Sequence, residues 1–157
     1  MKPPSETAIA LMERENAERD RRHLEKHGPR VADLLAQYSL LFRPSTSSSE
    51  RRRIAAEIWE PDGFYCDPMT DALGPAALIA HIEGTLFAIL PGYTLRRLGP
   101  SPLHGPYVAF SWEYLDPAGA PAQFEGAFGT DFVTLSPAGK LQSVVGFIGV
   151  ALSPRRD

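Results

Sequence analysis

Residues 107–150 read YVAFSWEYLDPAGAPAQFEGAFGTDFVTLSPAGKLQSVVGFIGV, and the rhythm of this stretch decides the fold. Apolar and polar side chains alternate through 107–115, 123–135 and 141–150, the two-residue period of half-buried strands. Asp116-Pro117-Ala118-Gly119 and Ser136-Pro137-Ala138-Gly139 separate them, and both are tight-turn sequences. The spacing predicts an antiparallel meander, preceded by a fourth strand at 93–98. Alternation places Phe110, Trp112 and Tyr114 on one face of their strand, and Asp131, Val133 and Leu135 on one face of the next. Asp131 is the exception among these residues, because a buried acid is costly unless it is protonated, paired or functional.

Upstream the period is helical. Val31, Leu34, Leu35, Tyr38, Leu41 and Phe42 recur at intervals of three and four, with Tyr38 in the middle of the stripe and Pro44 as the stop. Ser47, followed by Glu50, resembles a capping box that opens a second helix through Ile54, Ile58 and Trp59. Residues 64–67 predict a short strand ended by Pro68, since a residue before proline is driven to extended geometry. Gly74-Pro75 opens a third helix carrying Leu78, Ile79, Ile82, Leu86 and Ile89. Helix, helix, strand, helix and four strands make an α+β fold: a cone with three N-terminal helices packed on the concave face of a curved, mostly antiparallel sheet.

Residues 1–27 have a different texture. Glu15 and Arg19, Glu18 and Arg22, and Arg21 and Glu25 are opposite charges at helical spacing, while Ile9, Leu11, Met12 and Leu24 are too sparse for a buried stripe. Gly28-Pro29 is expected to break this helix. The organisation expected is a charged helical extension over 1–29, a folded domain over 30–151, and a tail over 152–157.

Composition narrows the function classes. With 43% hydrophobic and 22% charged residues and a net charge of -3, the chain is ordinarily globular and has no concentrated basic surface for nucleic acid. The single cysteine, Cys66, excludes an internal disulfide and points to a reducing, cytoplasmic compartment. No run is apolar enough for a membrane span. No converging set of ligands suggests a metal site, and no glycine-rich phosphate loop or nucleophile elbow is present. No cofactor is expected, and His81 and His104 are expected at a rim or surface.

Leu35-Ala36-Gln37-Tyr38, Phe64-Tyr65-Cys66-Asp67-Pro68, and Gly129-Thr130-Asp131-Phe132 followed by Ala138-Gly139-Lys140 together carry a family resemblance. From 30 to 150 the chain resembles the nuclear transport factor 2-like superfamily, within it the ketosteroid isomerase and SnoaL-like polyketide cyclase group. The resemblance implies Tyr38 as an oxyanion-binding tyrosine, Asp67 as general base and Asp131 as a second, protonated acid. Where the isomerases have supporting tyrosines, this chain has Trp59 and Ile82. Leu35, Trp59, Tyr65, Ile82, Phe110, Trp112 and Val133 are expected to line the pocket.

The function expected on that basis is cofactor-independent acid/base isomerisation or cyclisation beside the carbonyl of a small apolar ligand. Two alternatives stand beside it. One is a non-catalytic ligand-binding or dimerisation module, for Tyr38 also fits a core tyrosine and Asp67 a turn residue. The other is epoxide hydrolysis, which would need Arg96 or Arg97 inside the cavity. Phe128 and Phe132, sharing a face with Thr130 and Thr134, suggest a homodimer through the sheet.

Overall fold

The computed structural model describes residues 5–152. Ser5 opens the first helix by accepting the Ala8 N–H at 3.2 Å, and α1 (Glu6–Leu41) then runs for 36 residues. Gly28-Pro29 does not break it, contrary to expectation: Pro29 lies inside the helix. A proline there removes one backbone hydrogen bond, but the helix is tethered on both sides of it. Before it, Asp20 bonds His104 Nδ1 at 3.1 Å and His23 Nε2 lies 3.2 Å from the Gly105 carbonyl. After it, Arg30 donates to the Ala138 carbonyl at 2.6 Å. Attachment to the folded body therefore begins at Asp20, well before the expected boundary. Ile9, Leu11 and Met12 remain exposed. Residues 1–4, and all of the expected tail beyond Leu152, lie outside the described residues.

Ser47 caps α2 (Ser48–Ile58) by accepting the Glu50 N–H at 3.2 Å. Trp59, expected in that helix, instead begins β1 (Trp59–Asp67), which pairs with the unanticipated β2 (Thr70–Leu73). The third helical stretch starts as α3 (Pro75–His81), widens into a π turn at Ile82–Leu86, and ends in α4 (Phe87–Ile89). In the π turn the Phe87 N–H reaches the Ile82 carbonyl, so the stripe read as regular helix changes phase and Ile89 ends up exposed. Buried Arg51 holds these pieces together. Its guanidinium donates to the carbonyls of Leu41, Arg43 and Thr46 at 2.7 to 2.9 Å and to Glu83 at 2.8 Å, and it lies over the Phe87 ring. The Leu41 carbonyl, left over at the end of α1, and two carbonyls of the following loop are thereby satisfied.

The remaining strands are β3 (Thr94–Leu98), β4 (Leu103–His104), β5 (Tyr107–Leu115), β6 (Phe128–Leu135) and β7 (Leu141–Ile148). They form one sheet in the order β2-β1-β7-β6-β5-β3, with β4 against β5, and only the β1/β7 pair is parallel. The expected α+β class and the two turns hold: Gly119 and Gly139 occupy positive φ at the two hairpins. β6 starts later than the alternation suggests, because the Ala127 N–H turns back to the Phe124 carbonyl at 3.1 Å. Helices cover one face, where Tyr38, Trp59, Phe110, Leu78 and Val144 form the core.

The outer face is less open than expected. Thr130 is fully buried there: it donates to the Val150 carbonyl at 2.7 Å and pairs with Ser111, which accepts the Leu152 N–H. Residues 150–152 thus cover Thr130, while Phe132 and Phe147, in edge-to-face contact, stay exposed on that side, as do Phe64 and Tyr107. Among the described residues no helix is long and apolar enough to cross a membrane.

Candidate functional site

A cavity of about 290 Å³ opens between α1, the third helical stretch and the concave face of the sheet, at the low end of the usual size for small-molecule sites. Tyr38, Asp67 and Asp131 all border it, delivered by α1, the end of β1 and the middle of β6. Tyr65 and Trp112 are also on its wall. Leu35, Trp59, Ile82, Phe110 and Val133, expected there, lie instead in the packed core behind it. Large side chains on a concave sheet fill the apex of the cone first, and alternation alone does not tell apex from mouth. The wall is completed by residues the sequence reading did not select, including Phe42, Leu86, Leu95, Tyr114, Phe124 and Gly146.

Asp131 is 3% exposed and sits opposite Phe110 on β5. Its Oδ1 accepts the Trp112 indole N–H at 2.7 Å, and its Oδ2 accepts the Tyr38 hydroxyl at 3.1 Å. Burial pushes this carboxyl up to about 6; the two hydrogen bonds oppose the rise, and Asp67 adds to it. Tyr38, enclosed and facing Asp131, is pushed well above the ordinary phenol range, chiefly by burial. It rests against Phe42, Trp59 and Phe110, ring to ring.

Asp67 is held differently. Its Oδ1 accepts the backbone N–H groups of Met69 and Thr70 at 2.7 and 2.9 Å, closing the β1–β2 hairpin, and its Oδ2 accepts the Tyr65 hydroxyl at 2.7 Å. The turn role and the cavity position belong to the same side chain. Gly146 on β7 separates the two acids: a β-carbon there would stand 3.1 Å from Asp131 Oδ1 and 3.4 Å from the Asp67 Cβ. The first contact is tight and the second ordinary, so the bare α-carbon spares Asp131 Oδ1 a crowding neighbour.

His81 borders the cavity, whereas His104 is exposed and bonded to Asp20. Neither Arg96 nor Arg97 lines the wall. Leu95 takes the inward position of β3, which turns Arg96 outward to its partner Glu113, and Arg97 faces a separate hollow beside Gly28 and Pro29. The arginine needed for epoxide hydrolysis is therefore not in place.

No family model and no curated protein matches the sequence. Solved structures do match. A protein provisionally named as an isomerase of the SnoaL-like family, from Agrobacterium tumefaciens, superposes with a TM-score of 0.68 at 28% identity over 76% of this chain and 97% of its own. The chain belongs to the nuclear transport factor 2-like, SnoaL-like superfamily. A nuclear transport factor 2-like protein of unknown function from an Exiguobacterium species (TM-score 0.57, 16% identity, 75% of this chain and 99% of that one) shares the fold. So does a provisionally named polyketide cyclase from Sinorhizobium meliloti (0.54, 16%, 73% and 94%). The shared fold spans about three quarters of this chain.

Proposed function

We propose that this SnoaL-like protein is a cofactor-independent acid/base enzyme acting beside the carbonyl of a small apolar substrate, with Asp131 as the group that exchanges the proton. The observation that carries this reading is the setting of Asp131: a carboxyl on the wall of an apolar cavity, fixed at both oxygens by Trp112 and Tyr38, and raised to about 6. A base performs best when its pKa lies near the working pH, because it is then both largely ionised and basic enough to take the proton. Gly146 leaves the approach to Oδ1 unobstructed by a side chain.

This assignment reverses the roles implied by the family resemblance, in which Asp67 removes the proton and Asp131 donates a hydrogen bond. Three donors already engage Asp67. Tyr38 likewise donates its hydrogen bond to Asp131, so it holds the base instead of an enolate oxygen. In the reaction, Asp131 takes a proton from the carbon next to the carbonyl, the electron pair moves to the carbonyl oxygen as an enolate, and the acid returns the proton to the same or a neighbouring carbon. The test is deuterium exchange at the α-carbon of compact cyclic ketones, followed by NMR, for wild type, Asp131→Asn and Asp67→Asn. Loss confined to Asp131→Asn supports the reading; exchange that persists in Asp131→Asn overturns it and leaves the cavity as a binding site.

A further inference from the structure

Three tyrosines border the cavity, and two of their hydroxyls are committed: Tyr38 donates to Asp131 and Tyr65 to Asp67. The third belongs to Tyr114. Among the described residues nothing accepts a hydrogen bond from its hydroxyl or donates one to it, although the residue is only 9% exposed. A hydroxyl that makes no bond within the protein keeps its full hydrogen-bonding capacity for whatever enters beside it. The hydroxyl is also not sealed into protein as Trp59 Nε1 is, and the residue lines the cavity.

The position of Tyr114 is set on every side. On β5 it lies opposite Leu95, on the inward face shared with Trp112. Its backbone N–H donates to the Ala127 carbonyl at 2.8 Å, and its carbonyl accepts the Ala122 N–H at 2.9 Å, so the loop before β6 clamps the strand here. The ring stands edge-on to Trp112 at 5.4 Å and stacks with Phe124 at 6.3 Å. Burial, then the charges of Asp131 and Asp67, raise the phenol above its ordinary range, which keeps it protonated and places it within the field of both acids.

A ligand carbonyl oxygen that leaves water for this wall needs a donor, and the hydroxyls of Tyr38 and Tyr65 are already engaged. We propose that the Tyr114 hydroxyl is that donor: it binds the carbonyl oxygen of a compact apolar ketone and turns the neighbouring carbon towards Asp131. The second half of this statement rests on the acid/base reading above; the first, recognition of a ligand oxygen by Tyr114, does not.

The experiment uses β-tetralone and its oxygen-free counterpart tetralin as probes, titrated calorimetrically into the full chain. Wild type is expected to bind the ketone more tightly than the hydrocarbon. Tyr114→Phe should lower ketone affinity about three- to tenfold, the worth of one hydrogen bond, while tetralin affinity stays within about twofold. Infrared spectra of carbon-13 carbonyl-labelled β-tetralone should show the bound band at higher frequency in Tyr114→Phe than in wild type, a change that a merely structural role would not produce. A tyrosine fluorinated beside its hydroxyl, placed at position 114, is a stronger donor and should move the band to lower frequency, which keeps the test open should Tyr114→Phe fail to fold. No preference for the ketone in wild type, or a preference and band position unchanged by either replacement, overturns the assignment. Asp131→Asn separates the two proposals: it should abolish exchange yet keep the ketone preference. Exchange indifferent to Asp131→Asn, with the preference still lost in Tyr114→Phe, would sink the enzymatic reading alone.

Discussion

Asp67 and Asp131 are the same side chain on either side of one glycine, and the protein treats them in opposite ways. Asp67 closes a hairpin with two backbone N–H groups and takes a third donor from Tyr65. Among the described residues no backbone group donates to Asp131; an indole and a phenol hold it inside an apolar wall, where burial outweighs their help and leaves the carboxyl at about 6. Residue type does not assign a catalytic role; the balance between desolvation and the supply of donors does.

The largest expected effect tests that contrast by rate. Asp131→Asn should lower α-proton exchange by about two to four powers of ten, and wild-type exchange should rise as pH climbs through about 6, where the carboxyl becomes a base. Asp67→Asn should cost less than about tenfold, because the base of the proposed reaction is untouched. Equal losses in the two variants would erase the distinction between the acids.

Stability sharpens it next. The folded state raises Asp131 from 3.8 to about 6, so in that window the native protein holds a proton that the unfolded chain has already released. The associated stability is fully present below the unfolded value and is lost as pH rises through the folded one, about 3 kcal/mol in all. Urea unfolding at pH 4 and pH 7.5 should show this fall in wild type and a flatter profile in Asp131→Asn. A wild-type stability that rises over the same interval by a comparable amount would place the burial penalty elsewhere.

Asp67→Ala should be the complementary case. Removing the hairpin's acceptor is expected to cost about 2 kcal/mol, with the loss read from the urea midpoint at constant slope. A variant as stable as wild type would mean that the β1–β2 turn closes without its carboxylate.

The smallest change is a factor of two in mass, and it lies one residue beyond Asp131. Phe132 points outward, 45% exposed, against Phe147 at 48%. We propose that a second copy seats on this pair, giving the homodimer that the alternation of β6 suggests. Sedimentation should then report a dimer for wild type and a monomer for Phe132→Lys, with α-proton exchange per chain unchanged. A wild-type monomer at every concentration tested would end that proposal.

Much of this was legible along the chain. The meander, its two glycine turns, the Tyr38 stripe and the Ser47 cap depend on neighbours a few residues apart, and the structure contains each of them. What misled was local as well. Gly28-Pro29 has the signature of a break, yet contacts to residues more than eighty positions away along the chain keep α1 whole. The π turn at Ile82–Leu86 is likewise held from outside its own sequence, through Arg51 and Glu83.

The sequence by itself determined the α+β class, the strand faces and the presence of one acid on an inward face, because periodicity records which side of each element is buried. Only the tertiary structure decided which residues share a cavity and what each is free to do. Trp112 and Tyr38 converge on Asp131, Gly146 makes room beside it, and Tyr114 alone of the cavity's tyrosines has a hydroxyl with no hydrogen bond among the described residues. Those relations join β1, β5, β6, β7 and α1. Hydrogen bonding and desolvation act over a few ångströms of space, whatever the separation along the chain.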